Sequence, residues 1–154
     1  MNPEMVLRIE ALRRGQVEAA KAVIRAGCFE FFGAAPADFG DMDNVAASYS
    51  APCGIFLVLM DGEQVVGTGA IRRLDEEVCE LKRMWFLPVY RGKGYGARMC
   101  GELLEFARSA GYRRVRLDTD PRQAAAGRLY RRLGFREIER YNDGPCGVFM
   151  ERDL

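Results

Sequence analysis

The sequence contains no histidine, the side chain most often used as a general base near neutral pH. Any proton acceptor must therefore be a carboxylate, a tyrosine, a cysteine, a terminus or a water held by one of them. The five cysteines, at positions 28, 53, 79, 100 and 146, are odd in number and form no CxxC pair. They signal neither a disulfide framework nor a zinc site, so no metal is expected and a reducing cytoplasm is the expected compartment. The longest strongly apolar stretch is GIFLVLM at 54–60, far short of the roughly 20 residues that a membrane-spanning helix needs. MNPEMVLRIE lacks the apolar centre of a signal peptide, and no membrane association is expected.

Cations are missing from a long stretch. Residues 26–71 hold no Lys or Arg but six acids, Glu30, Asp38, Asp41, Asp43, Asp61 and Glu63, whereas residues 72–154 hold 18 Lys+Arg against 13 Asp+Glu. A net charge of +1 argues against general nucleic-acid binding, yet one half suits a cationic ligand and the other an anionic one. At 154 residues and 49% hydrophobic, the chain is long enough for one core and too short for two. With no repeat, low-complexity tract or linker, a single domain over 1–154 is expected.

Periodicity supplies the elements. MVLRIE (5–10) alternates as a strand, and a helical pattern over about 15–32 gives way to GAAPADFGDMDN, whose Gly, Pro, Asp and Asn content signals a loop or a short broken helix. GIFLVLM and VVGTGAIRRL form a hairpin turning at Asp61-Gly62, and EEVCELKRMWFLP adds a strand stopped by Pro88. Ala97, Cys100, Leu103, Leu104 and Ala107 make a helical stripe closed by Gly111, and RVRLDT (114–119) is a strand. Ala125, Ala126, Leu129, Tyr130 and Leu133 mark another helix before Gly134, with FREIERY and CGVFMERDL as the last strands. The order predicts an α/β (α+β) domain: a mixed, mostly antiparallel sheet of about seven strands flanked by helices.

RGKGYG at 91–96 lies between an apolar strand and a helix start. Such a turn presents unpaired N–H groups and the positive end of a helix dipole, so a pyrophosphate fits there. Arg91 and Lys93 add charge, and Gly92, Gly94 and Gly96 let the backbone come close. A GxxxxGK[ST] phosphate loop is excluded, because no Gly-Lys precedes Ser or Thr. GKGYGA satisfies the dinucleotide pattern GxGxxG/A, with Asp118 placed 21 residues beyond Ala97. Its setting is wrong, since Pro88, Val89, Tyr90 and Arg91 separate the strand from the first glycine.

RGKGYG also fits [QR]-x-x-G-x-[GA] through Arg91, Gly94 and Gly96. With MWFLPVYRGKGYGARMCGELLEFARSAGYRRVRLDT followed by AAAGRLYRRLGF, the chain resembles the GNAT superfamily of acetyl-CoA-dependent N-acyltransferases, most strongly over 78–136. The resemblance implies the GNAT fold with splayed central strands and acetyl-CoA as co-substrate. It implies that the backbone of Arg91, Gly92, Lys93, Gly94, Tyr95, Gly96 and Ala97 binds the pyrophosphate. Main-chain groups of Met84, Trp85 and Phe86 meet the pantetheine and acetyl carbonyl, and Asp118 and Thr119 either cap the next helix or touch pantetheine. Gln123 stands where many members have a cofactor-contacting Asn.

Periodicity alone makes Tyr130 a core tyrosine; the resemblance places its phenol near the sulfur as proton donor to the leaving thiolate. Without histidine, Glu80 is the candidate base, acting directly or through water. Alternation puts Val78, Glu80, Lys82, Met84 and Phe86 on one face and Cys79 on the other, so direct transfer without an acyl-cysteine is expected. The acceptor region implied by the resemblance is 28–49 with 141–147, which includes Tyr141. Its acids, Glu30, Asp38, Asp41 and Asp43, and its aromatics, Phe31, Phe32 and Phe39, point to a small cationic amine. A CoA-binding sensor without catalysis, acetylation of a protein amine and a dinucleotide-dependent reductase are the alternatives, and a homodimer is left open.

Overall fold

The long apolar runs become the central strands of one sheet. The structure, a computed structural model, describes residues 7–36 and 38–154. β1 (Arg8–Ala11) is followed by α1 (Val17–Phe32), then by the short α2 (Gly40–Asp43) and α3 (Val45–Ser48). β2 (Ile55–Asp61), β3 (Gln64–Arg73) and β4 (Val78–Phe86) form a meander. A 3-10 turn at Pro88–Tyr90 leads to α4 (Tyr95–Ser109), and β5 (Arg114–Thr119), α5 (Ala124–Arg132), β6 (Arg136–Ile138) and β7 (Val148–Asp153) complete the chain. Of the strand expected at 5–10, residues 5 and 6 lie outside the described residues.

The seven strands are ordered β1-β2-β3-β4-β5-β7-β6. Every neighbouring pair is antiparallel except β4 with β5. Both faces are covered, which is why β2 and β3 are apolar on both sides rather than alternating. On one face Leu57, Leu59, Ile71 and Leu81 pack with Met99, Leu103 and Leu104 of α4. On the other, Phe56, Val58, Met60 and Ala70 pack with Ala20, Val23 and Ile24 of α1. No helix among the described residues is long and apolar enough to cross a membrane.

α1 approaches β4 closely at Gly27, where a Cβ would stand 2.2 Å from Cε3 of Trp85. The indole fills the space that a side chain would need. Alanine in a helix is ordinarily worth about 1 kcal/mol over glycine, but here overpacking costs about 1–3 kcal/mol. Gly27→Ala is therefore expected to lower the urea midpoint and shift the emission of Trp85, the chain's one tryptophan. A raised midpoint with unchanged emission contradicts this packing.

Candidate active site in the β4–β5 cleft

β4 and β5 pair at Val78↔Arg114, Cys79↔Val115 and Glu80↔Arg116, and the ladder goes no further. Beyond that point the strands diverge around a cavity of about 540 Å³. Leu81 to Trp85 of β4 and Leu117 to Thr119 of β5 form two walls, with Phe32, Asp38 and Asp41 on the α1 side, Tyr130 from α5 and Gln123 just before that helix. The splay expected from the resemblance is present, and it leaves β4 main-chain groups facing the gap instead of a partner strand.

Arg83 shapes β4 here. Its φ of 59° is the one positive value at a non-glycine residue among those described, and it sits where the β3–β4 register slips between Thr68 and Ala70. The extra residue reverses the alternation. Glu80 and Lys82, paired with Arg72 and Ala70, face α1 together with Trp85, whereas Met84 and Phe86 join Leu81 on the α4 face. The expectation that Glu80 shares a face with Met84 and Phe86 is corrected by this bulge. Arg83 is fixed by hydrogen bonds from its guanidinium to the Asp41 carboxylate and the Asp38 carbonyl, and Thr68 Oγ1 donates to the Arg83 carbonyl. Tyr49 also donates to Asp41.

The acids expected to attract a cationic acceptor are mostly engaged. Glu30 pairs with Arg91, Asp41 with Arg83 and Asp43 with Lys21; of the four, only Asp38 lacks a cationic partner among the described residues. Glu30, Phe31 and Tyr141 do not line the cavity, while Phe32 and Asp38 do. Phe31 and Phe32 instead bracket Trp85, each with ring centroids 6.2 Å away. Asn142, inside the expected 141–147 acceptor segment but not singled out there, lines the cavity and donates to Asp118 at 2.8 Å. Arg140 organises that loop by donating to the carbonyls of Asn142, Gly144 and Cys146.

Glu80 is fully buried and also off the cavity wall. Its Oε1 accepts from Arg72 Nε at 2.8 Å and its Oε2 from Tyr141 at 2.6 Å. Both oxygens are occupied, which does not suit a base in direct contact with an amine. Burial, followed by the charge of Glu80, pushes the Tyr141 phenol far above its ordinary value, so it remains a donor. The carboxylates that do line the cavity are Asp38, Asp41, Asp118 and Asp120; Asp41 and Asp120 are ion-paired to Arg83 and Arg122.

Tyr130 packs edge-on to Phe135 at 5.8 Å. Its hydroxyl donates no hydrogen bond among the described residues, and burial drives its pKa far upward. It is both the core tyrosine of the periodicity reading and a cavity residue. Thr119 and Gln123 bond to each other at 3.4 Å on the adjoining wall.

Past the end of β4, Gly92 (φ 73°) and Gly94 (φ 89°) take left-handed conformations that turn the chain into α4. The amides of Gly92, Lys93, Gly94, Tyr95, Gly96 and Ala97 donate no hydrogen bond among the described residues, the first helical bond being Arg98 N to Gly94 O. Lys93 is exposed and forms no ion pair there. Arg91 differs from expectation: its Nε donates to the Phe86 carbonyl at 2.8 Å and its guanidinium lies over Phe31 while pairing with Glu30. It braces the loop, and Lys93 is left as the loop's unpaired cation.

Comparison with known proteins agrees with this geometry. The model of the acetyltransferase (GNAT) family matches residues 23–135. YjgM of Escherichia coli, an uncharacterized N-acetyltransferase, is 35% identical over 122 residues, covering 74% of this chain and 72% of that one. Longer vertebrate relatives are matched over 45% and 37% of their length. A GNAT-family acetyltransferase from Staphylococcus aureus superposes with a TM-score of 0.88 at 24% identity, over 97% of this chain and 99% of the other. The structure of yncA from Salmonella typhimurium, with its cofactor acetyl-CoA, superposes at 0.75 and 21% identity, over 96% and 94%.

The Asp41–Arg83 pair yields a pH prediction. Burial raises the Asp41 pKa, but hydrogen bonds from Arg83 and Tyr49 outweigh it and the net direction is below the ordinary 3.8. A depressed carboxyl stabilises the fold above its unfolded value and loses that contribution as pH falls through the folded one. Urea midpoints should therefore fall below about pH 4, with a shallower fall in Asp41→Asn. An identical fall in both proteins contradicts the assignment.

Proposed function

The chain belongs to the GNAT acetyltransferase family and uses acetyl-CoA, and from that premise we propose that it acetylates the primary amine of a small molecule held in the β4–β5 cavity. The observation that carries this reading is the arrested ladder after Glu80↔Arg116, with the Tyr130 phenol on one wall of the gap and carboxylates on another. A cavity of about 540 Å³ is within the range of small-molecule sites, which favours a small amine over a protein segment. The five free cysteines support the expected cytoplasmic placement.

The residues present fit the CoA group. Six free amides at a helix N-terminus with Lys93 beside them suit a pyrophosphate, and Met84, Thr119 and Gln123 line the path a pantetheine arm would take. When bound, the co-substrate supplies a thioester: the amine nitrogen bonds to its carbonyl carbon as the C–S bond breaks and the sulfur leaves as thiolate. Main-chain N–H groups of Met84, Trp85 and Phe86 are the candidates for meeting the carbonyl oxygen. Tyr130, kept protonated by burial, holds the proton that the departing sulfur takes up.

The amine must shed a proton of its own. Asp118 is the better placed carboxylate: it alternates with the buried Leu117 and Thr119 so as to face the cavity on the side of Glu80, and its only partner among the described residues is Asn142. We assign it the base role and give Glu80 a positioning role, holding Arg72 and Tyr141. Cys79 and Cys146 are pushed up by burial to about 12 and about 11. Both stay thiols at neutral pH, which supports direct transfer.

Calorimetric titration with acetyl-CoA, and separately with NADH, tests the reading together with thiol-release assays on an amine panel. Saturable acetyl-CoA binding, weakened in Lys93→Ala, is expected. Tyr130→Phe and Asp118→Asn should each lower kcat about 100-fold with acetyl-CoA binding retained. NADH binding without acetyl-CoA binding overturns the reading in favour of a reductase; acetyl-CoA binding with no effect of either substitution on turnover overturns the residue roles.

A further inference from the structure

Resting on the acyltransferase reading, we propose that the acceptor amine also carries an acidic group, a carboxylate in the simplest case, which Lys82 and Arg72 recognise. Both cations line the cavity. The register Arg72↔Glu80 and Ala70↔Lys82 puts them on one face of the sheet, the face that packs on α1. The glycine loop starts α4, which covers the opposite face, so a pyrophosphate at that loop does not answer these two cations.

One carboxylate serves both of them. Glu80 Oε1 accepts from Arg72 Nε at 2.8 Å, while Lys82 Nζ lies 4.0 Å away, beyond hydrogen-bond distance. The other oxygen is taken by Tyr141. Lys82, with its side chain 22% exposed, donates no hydrogen bond among the described residues, and neither do the two terminal nitrogens of Arg72. An ammonium with three donors and a guanidinium with its outer edge open face the same space, two cations sharing the single charge of Glu80. The remaining cavity cations are satisfied: Arg83 by Asp41, and Arg122 by Asp120 while it lies over the Phe32 ring at 4.5 Å.

An anion between Lys82 and Arg72 gains charge-assisted hydrogen bonds from both. It also fixes the other end of the molecule, where the amine is, relative to Asp118 and the main chain of β4. An amine of this kind is discriminated from its neutral or purely cationic analogues by the unfilled donors they leave behind.

The test measures thiol release with matched sets: α-amino acids, their amides and the amines left when the carboxylate is removed. The acids should have kcat/KM values at least about 10-fold above both analogues. Lys82→Met should shrink the acid-over-amide preference by roughly 10- to 100-fold, mainly through KM, with Lys82→Arg restoring part of it. Acetyl-CoA titration verifies that each variant is folded. Amides or decarboxylated amines reacting as well as their parent acids overturn the proposal, as does an unchanged preference in a folded Lys82→Met. So does a panel in which no acid reacts although acetyl-CoA binds. Failure to bind acetyl-CoA is a separate result, directed at the acyltransferase reading itself.

Discussion

Parallel pairing of β4 with β5 lasts for three residue pairs, and the arrest of that ladder is the constraint from which the site follows. A sheet that ends pairing in its middle leaves polar main-chain groups without partners, at a cost unless water or a ligand replaces them. The bulge at Arg83 turns β4 at this point, in a backbone conformation that costs a non-glycine residue about 1–3 kcal/mol. Asp41, Tyr49 and Thr68 surround that turn with hydrogen bonds. The segment after α1 therefore does more than cover the sheet: it holds the central strand open.

That role explains the uneven charge. The cation-free stretch 26–71 meets the cation-rich remainder across the fold, Glu30 with Arg91 and Asp41 with Arg83. Each of these pairs ties the α1 side to β4 or to the loop that follows it. Most of these acids are structural partners; among the described residues the cavity cations without a full ion pair are Lys82 and Arg72, and its carboxylates without one are Asp38 and Asp118. Charge blocks along a chain reveal how much of each sign is available; which groups remain unpaired is decided by tertiary contacts.

Most of the fold was legible because its signals are local. The period change after Gly94, the Asp61-Gly62 turn and the glycine stops at 111 and 134 each have a short-range cause, and the observed elements follow them. The glycine turn between strand and helix was legible for the same reason, whereas periodicity gave Tyr130 only its core position and its place beside the cavity came from the resemblance. The bulge was not: left-handed backbone at an arginine has no sequence signal, and one extra residue inverted the face assigned to Met84 and Phe86. The roles of Glu30, Arg91 and Glu80 depended on partners 61, 61 and 61 positions away or on a facing strand, distances over which periodicity carries no information. The 141–147 segment was expected at the acceptor site, but Asn142 within it was not singled out, because a polar residue in a turn-rich loop looks like any other.

The proposed acetyl transfer requires that the opened β4–β5 cleft receive the acyl donor, with the glycine loop at one end and Tyr130 beside the sulfur. A crystal structure of the protein soaked with acetyl-CoA tests it most directly. Pyrophosphate density is expected on the amides of residues 92–97, the pantetheine arm between β4 and β5, and the thioester sulfur within reach of the Tyr130 hydroxyl. Density for the molecule elsewhere on the surface, or a cleft that stays free of it at saturating acetyl-CoA, would rule this placement out.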